Sequence, residues 1–301
     1  MDQVTLLICI TALPRASDNL TRALEAAMKF RDILAIEASG SPQESVTALS
    51  SQLALQNHGR VSGLVASWMP SLVMAEGWVA SPVWENVREH VQKQLDADRR
   101  DLERRIAAGS SPGVVASELL EESQSGAVIA ARARHYDVSV VACPQSDLEH
   151  KLVEAALFEA GRPVLLAPQV WRPRPIGRRI VVAWKPTRQA SRALSDAEDF
   201  LQQASQVVLL TVDMDNTEDD CRRSGGDIIR HLERRGVAAS ACAIAPVGRT
   251  EARSVLDHAA AIDADLIVMG GFGRSRMSEF IFGGMTREMV RTASTPVLLS
   301  H

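Results

Sequence analysis

The sequence predicts an α/β chain of two tandem Rossmann-like domains, each built on a parallel sheet with helices on both faces. Two observations predict it. Segments of strand length alternate with helical stretches along the chain, the pattern of a parallel sheet wound with crossover helices. The same order of landmarks also occurs twice, which marks an internal repeat. With 301 residues the chain is long enough for each domain to bury its own core. A hydrophobic fraction of 46 % with 23 % charged residues is that of a globular protein.

The C-terminal half carries the pattern most clearly. Arg179–Trp184 is an apolar, β-branched run, and Ser191–Ala204 follows with Ala193, Leu194, Ala197, Phe200, Leu201 and Ala204 on one helical face. Gln206–Asp213 is the second strand, and Asp219–Arg235 the next helix, stopped by Gly236. Val237–Ile244 and Glu251–Asp263 repeat the alternation, then Asp265–Met269, a helix around Phe280–Arg291, and Pro296–Ser300.

The N-terminal half follows the same order. Arg31–Ile36 matches the first strand, Val46, Leu49 and Leu53 mark the first helix, and Arg60–Ser67 is the second strand. A long helix over about Pro82–Ala108 places Trp84, Val87, Val91, Leu95, Leu102 and Ile106 on one stripe. Ala131–Val141 then parallels Ala259–Met269, and Gly161–Pro168 parallels Ser294–Ser300. Each pair shares a landmark, an aspartate opening a strand or a proline before the last one. Because Asp137 and Asp265 recur at equivalent strand starts, both are expected to be structural caps.

The divide falls where Pro168, Pro173, Pro175 and Gly177 interrupt regular structure, giving a linker at 169–178 between domains at 28–168 and 179–301. Residues 68–81 add a loop with no counterpart in the second half. Residues 1–27 precede the repeat. Either they add a strand and helix at the sheet edge, or Met28, where the repeat begins, is the natural start.

Charge and cysteine usage narrow the function classes. A net charge of −4 without a basic run argues against nucleic acid and anionic membranes as partners. No apolar run approaches the roughly 20 residues that span a bilayer, and Asp2 stands where a secretory signal would be positive. Cys9, Cys143, Cys221 and Cys242 are scattered, with no CxxC, as expected of thiols in a reducing cytoplasm.

The chemistry-bearing segment follows the fourth C-terminal strand. Gly270, Gly271 and Gly273 open it, and Gly283, Gly284, Met285 and Thr286 close it at the next helix. Ligands of open α/β sheets bind beyond the carboxyl ends of the strands. Glycines there let backbone N–H groups approach an anion, and the helix offers its positive end. The segment is neither a GxxxxGK[ST] loop nor a complete dinucleotide fingerprint.

Gly270-x2-Gly273-x9-Gly283, followed by a helix and Pro296-Val-Leu-Leu, resembles the loop of the universal stress protein family. The resemblance runs as a tandem pair from Met28 to His301. It implies an open five-stranded parallel sheet per domain, of the adenine nucleotide alpha hydrolase-like type. It also implies pairing of Pro163–Ala167 with Pro296–Ser300 into an internal pseudo-dimer, with a homodimer as a further expectation. Carried over, Val212 and Met269 would line an adenine and ribose pocket for ATP or AMP. Gly270 and Gly273 would run along ribose and phosphates, and Gly283, Gly284, Met285 and Thr286 would hold the phosphate chain.

This chain departs from the family pattern at two positions. Gly284 replaces a Ser/Thr and removes a hydroxyl. Lys185 replaces the aspartate at the adenine edge, and an ammonium has no acceptor. In the N-terminal half Ala38 takes that place, Asp137 and Pro163 lie 26 apart against 31 for Asp265 and Pro296, and no glycine occurs between Asp137 and Ala160. One nucleotide site per chain is therefore expected.

His135, Asp137, Asp257 and His258 form no recognisable acid–base constellation, and Ser275 and Ser278 have no histidine near them in sequence. The expectation is a cytoplasmic stress-response protein, not an enzyme beyond slow ATP hydrolysis, that acts through an unidentified protein partner. The alternative is a nucleotide-independent scaffold with a vestigial glycine loop.

Overall fold

The structure, a computed structural model, describes residues 30–69, 81–109, 112–121, 124–212, 218–246, 248–271 and 283–301. Residues 1–27 and most of the 68–81 loop therefore lie outside the described residues. The N-terminal half runs β1 (Asp32–Ala38), α1 (Glu44–Asn57), β2 (Arg60–Trp68), α2 (Ser81–Gly109), β3 (Pro112–Leu120), α3 (Ser125–Ala133), β4 (Val138–Ala142) and α4 (Asp147–Glu154). A π-helical turn (Ala155–Glu159) and β5 (Val164–Ala167) complete it. The C-terminal half runs β6 (Arg179–Ala183), α5 (Arg188–Asp196), α6 (Glu198–Gln203), β7 (Gln206–Val212), α7 (Glu218–Arg234) and β8 (Ala239–Ile244). It ends with α8 (Glu251–Ala261), β9 (Leu266–Gly270), α9 (Gly284–Thr292) and β10 (Val297–Ser300).

The strands form one sheet in the order β3-β2-β1-β4-β5-β10-β9-β6-β7-β8. Every pairing is parallel except β5 with β10, which is antiparallel with Leu165 opposite Leu298. The expected contact between the last strand of each half is thus made.

Central strands are buried on both faces, so they read as continuous apolar runs, and alternate side chains enter opposite cores. Ile33 and Ala35 of β1 join the core under α1, α2, α5, α6 and α7; Leu34 and Ile36 join the core under α3, α4, α8 and α9. Both cores cross the β5–β10 junction, through Leu165 and Leu298 on one face and Leu166 and Val297 on the other. Phe30 stacks on Phe200 at 5.2 Å, and Gln56 exchanges two hydrogen bonds with the Ile176 backbone (3.0 and 3.1 Å).

The two repeated aspartates carry the structural role expected of them. Asp137 Oδ2 accepts from the N–H groups of Arg31 and Asp32, both at 2.9 Å. Asp265 accepts from Gly177 (2.6 Å), Arg178 (2.9 Å) and Arg179 (3.1 Å). Each therefore satisfies backbone donors at the entry to the first strand of its half, which a sheet leaves unpaired there.

Three elements differ from the periodicity reading. β3 is an N-terminal strand the pattern did not reveal, an edge strand of mostly half-buried residues opened by Pro112. The single helix expected over 191–204 is two, α5 and α6, separated at Ala197. It starts earlier than expected because the Thr187 hydroxyl accepts from Ala190 N–H. α8 stops at Ala261, ahead of Asp263 in the left-handed region at φ 49°.

Candidate functional site

The C-terminal ends of β6, β7 and β9 open into a cleft. It is lined by Ala183, Trp184, Lys185, Leu210, Val212, Glu251, Val255, Met269, Gly270 and Met285, with a volume of about 40 Å³. Four residues singled out from sequence, Val212, Met269, Gly270 and Met285, meet here. Their route is topological: the parallel register sets Ala183 beside both Leu210 and Met269, so three strand ends share one rim.

Gly283 is the N-cap of α9, and Gly284 begins the helix. Gly283 has no side chain with which to cap this N-terminus, and the first turn holds no acidic residue. The first backbone N–H groups of a helix have no partner inside it and attract anions. A Cβ on Gly284 would meet nothing within 4 Å, so packing does not require glycine there. Thr286 is fully buried. Gly273, Ser275 and Ser278 lie outside the described residues.

Gly270 and Gly271 have packing reasons of their own. A Cβ on Gly270 would come within 2.6 Å of the Ala190 nitrogen in α5, and one on Gly271 within 2.8 Å of Leu157 Cδ2. Contacts that short force something to shift, and at Gly270 the obstacle is backbone.

The charged groups of the cleft are Lys185 and Glu251. Glu251 was not singled out from sequence. It occupies the first turn of α8, whose N-cap Thr250 accepts from Arg253 N–H at 3.1 Å. A Thr-Glu pair opening the helix after a strand is the signal that could have found it. The other candidate acids and bases do not converge. Asp257 pairs with Arg249 and Arg253 on the outer part of α8, Asp137 is engaged by backbone, and Nε2 of His258 meets no hydrogen-bond partner among the described residues. Among the described residues no group of three or more His, Cys, Asp or Glu could hold a metal ion.

The corresponding strand ends of the N-terminal half are filled by the protein's own carboxylates. Asp98 accepts from the Ser39 hydroxyl (2.6 Å) and Gly40 N–H (2.8 Å), fixing the loop after β1. Glu149 accepts from the Ser41 hydroxyl and from Gln145 N–H, both at 2.6 Å, and completes a capping box with Ser146 at the start of α4. Where the N-cap of α9 is a glycine, α4 has the Ser146 hydroxyl on its Glu149 amide and the Glu149 carboxylate on the amides of Gln145 and Ser146.

No helix among the described residues is long and apolar enough to cross a membrane. Fold and cleft together define a tandem open-sheet α/β protein with its candidate site at the carboxyl ends of the C-terminal strands. The model of the universal stress protein family matches residues 177–301, the C-terminal half of the chain.

Solved structures show the same fold. A universal stress protein from Archaeoglobus fulgidus DSM 4304 superposes with a TM-score of 0.65 at 15 % identity, over 89 % of this chain and 95 % of that one. A Pseudomonas aeruginosa UCBPP-PA14 protein, provisionally assigned to the same family, gives 0.52 at 15 % identity over 92 % and 94 %. A protein of unknown function from Pseudomonas aeruginosa PAO1 gives 0.50 at 14 % identity over 93 % and 94 %. Among curated protein sequences there is no significant match.

Proposed function

We propose that this chain is a stress-response protein that binds one adenine nucleotide, ATP or AMP, in the C-terminal cleft and acts through a protein partner. The observation that carries this reading is the convergence of Val212, Met269, Gly270 and Met285 on one cleft at the strand ends, in the half that also holds the start of α9. The apolar side chains suit a purine face, and the positive N-terminal end of α9 suits phosphate oxygens. Glu251 supplies the hydrogen-bond acceptor that Lys185 lacks, so the adenine amino group can be read from α8 rather than from the end of β6.

The second reading is a nucleotide-independent scaffold. It is favoured by the packing reasons for Gly270 and Gly271 and by a cleft smaller than the roughly 300 Å³ at which ligand pockets usually begin. Calorimetric titration with ATP, ADP and AMP separates the two. The nucleotide reading requires saturation near one per chain, and Glu251→Gln should weaken ATP more than GTP. Absence of heat with all three nucleotides leaves the scaffold, and two equal sites would refute the assignment to one half.

A further inference from the structure

The N-terminal half touches the rim of the C-terminal cleft. After α4 the chain enters the π-helical turn Ala155–Glu159, and such single turns are frequent at functional positions. Leu157, buried in this turn, lies where a Cβ on Gly271 would fall. The next residue, Phe158, meets the ring of His301 edge-on at 4.9 Å, and His301 Nδ1 lies 3.0 Å from the Gly271 carbonyl oxygen. Gly271 N–H donates to Ser300 at 2.8 Å.

These contacts fix the chain where it leaves β9. Gly270, one residue earlier, lines the cleft and lies close against the α5 backbone. Gly271 is not among the glycines with positive φ, so its own backbone does not demand glycine. The neighbour that a Cβ there would displace is Leu157 Cδ2, from the other half. A phosphate ligand would also favour glycine at the start of such a loop, but it would not place a leucine side chain against it.

Resting on the nucleotide reading, we propose that Leu157 and Phe158 are positioning residues: the N-terminal half holds the rim of the C-terminal cleft. Leu157 sets the path of the Gly270–Gly271 peptide, and Phe158 keeps His301 against its carbonyl. The N-terminal half is then a fixed support for the binding half.

A double-mutant cycle tests this in the full chain. Gly271→Ala, Leu157→Ala and the double variant are titrated with ATP well below their melting temperatures, and the melting temperatures are measured separately. Gly271→Ala should weaken ATP at least tenfold and Leu157→Ala severalfold. The double variant, where the new methyl enters the space leucine left, should recover affinity to within severalfold of wild type and regain most of the lost melting temperature. If Gly271→Ala does not fold alone, folding of the double variant is itself the rescue. A double variant as weak for ATP as Gly271→Ala, or with additive losses of melting temperature, overturns the proposal. A wild-type chain that binds no ATP refutes the nucleotide reading instead, and the melting cycle still decides whether Leu157 is what restricts residue 271.

Discussion

Arg105 and Glu37 form a two-pronged ion pair at the end of β1, with Nη1 2.9 Å from Oε1 and Nη2 2.6 Å from Oε2. The carboxylate side chain is 3 % exposed and the guanidinium 20 %. Arg105 also donates to Thr47 Oγ1 (2.5 Å) and to Asp101 (2.8 Å). Burial opposes its charge, but the bonds to Glu37 and Asp101 raise its pKa above the ordinary arginine value. With Asp98 and Glu149, this network fills the strand ends of the N-terminal half.

Removing one partner of a buried pair strands the other charge, which costs roughly 3–5 kcal/mol. Arg105→Ala should therefore lower stability by about that amount in urea denaturation, and Arg105→Lys by less, because a single ammonium keeps the charge but loses the fork. Replacing both residues with leucine should recover much of the loss. A loss for Arg105→Ala below about 1 kcal/mol, the range of exposed pairs, would show that Glu37 regains solvent when the arginine is gone.

Asp265 and Asp137 do equivalent work on different numbers of donors. Asp265→Ala orphans the N–H groups of Gly177, Arg178 and Arg179, whereas Asp137→Ala orphans those of Arg31 and Asp32. Leaving buried donors unsatisfied costs roughly 1–3 kcal/mol. Chemical denaturation should place Asp265→Ala at the upper end of that range and Asp137→Ala at the lower, since the Arg31 site is exposed. Equal losses would mean that the number of donors does not set the cost.

What the sequence made legible follows from how each feature is encoded. The buried parallel strands are uninterrupted β-branched runs, and Asp137 and Asp265 stand out because the same geometry recurs in both halves. β3 was hidden because an edge strand of half-buried residues has neither a continuous apolar run nor clean alternation. At the site, Val212, Met269, Gly270 and Met285 were identifiable through the family resemblance, whose loop pattern anchors them at strand ends and at the start of a helix. Trp184 and Glu251 were not, because only parallel register and the placement of α8 bring them to the same rim. Gly271 illustrates the limit of reading a motif: its neighbour Leu157 is more than a hundred residues away in the chain.

His150 on α4 faces the arginines of α9 across the contact between the halves. Burial and then Arg291 lower its pKa; Arg287 acts in the same direction, while Asp147 and Glu149 oppose them. Glu154 on the same helix has its pKa raised by burial, against the pull of Arg287 and Lys151. A base with a lowered folded pKa binds its proton more readily when unfolded. His150 therefore contributes stability above the ordinary value of 6.5, and this is lost as pH falls through that value and on through the folded pKa. Glu154 has the opposite sign, contributing below 4.5 and losing it as pH rises through its raised folded pKa. The melting temperature should therefore fall from pH 8 toward pH 5.5, and His150→Gln should make that fall shallower. An unchanged slope in His150→Gln would place the acid sensitivity elsewhere and remove α4 as its source.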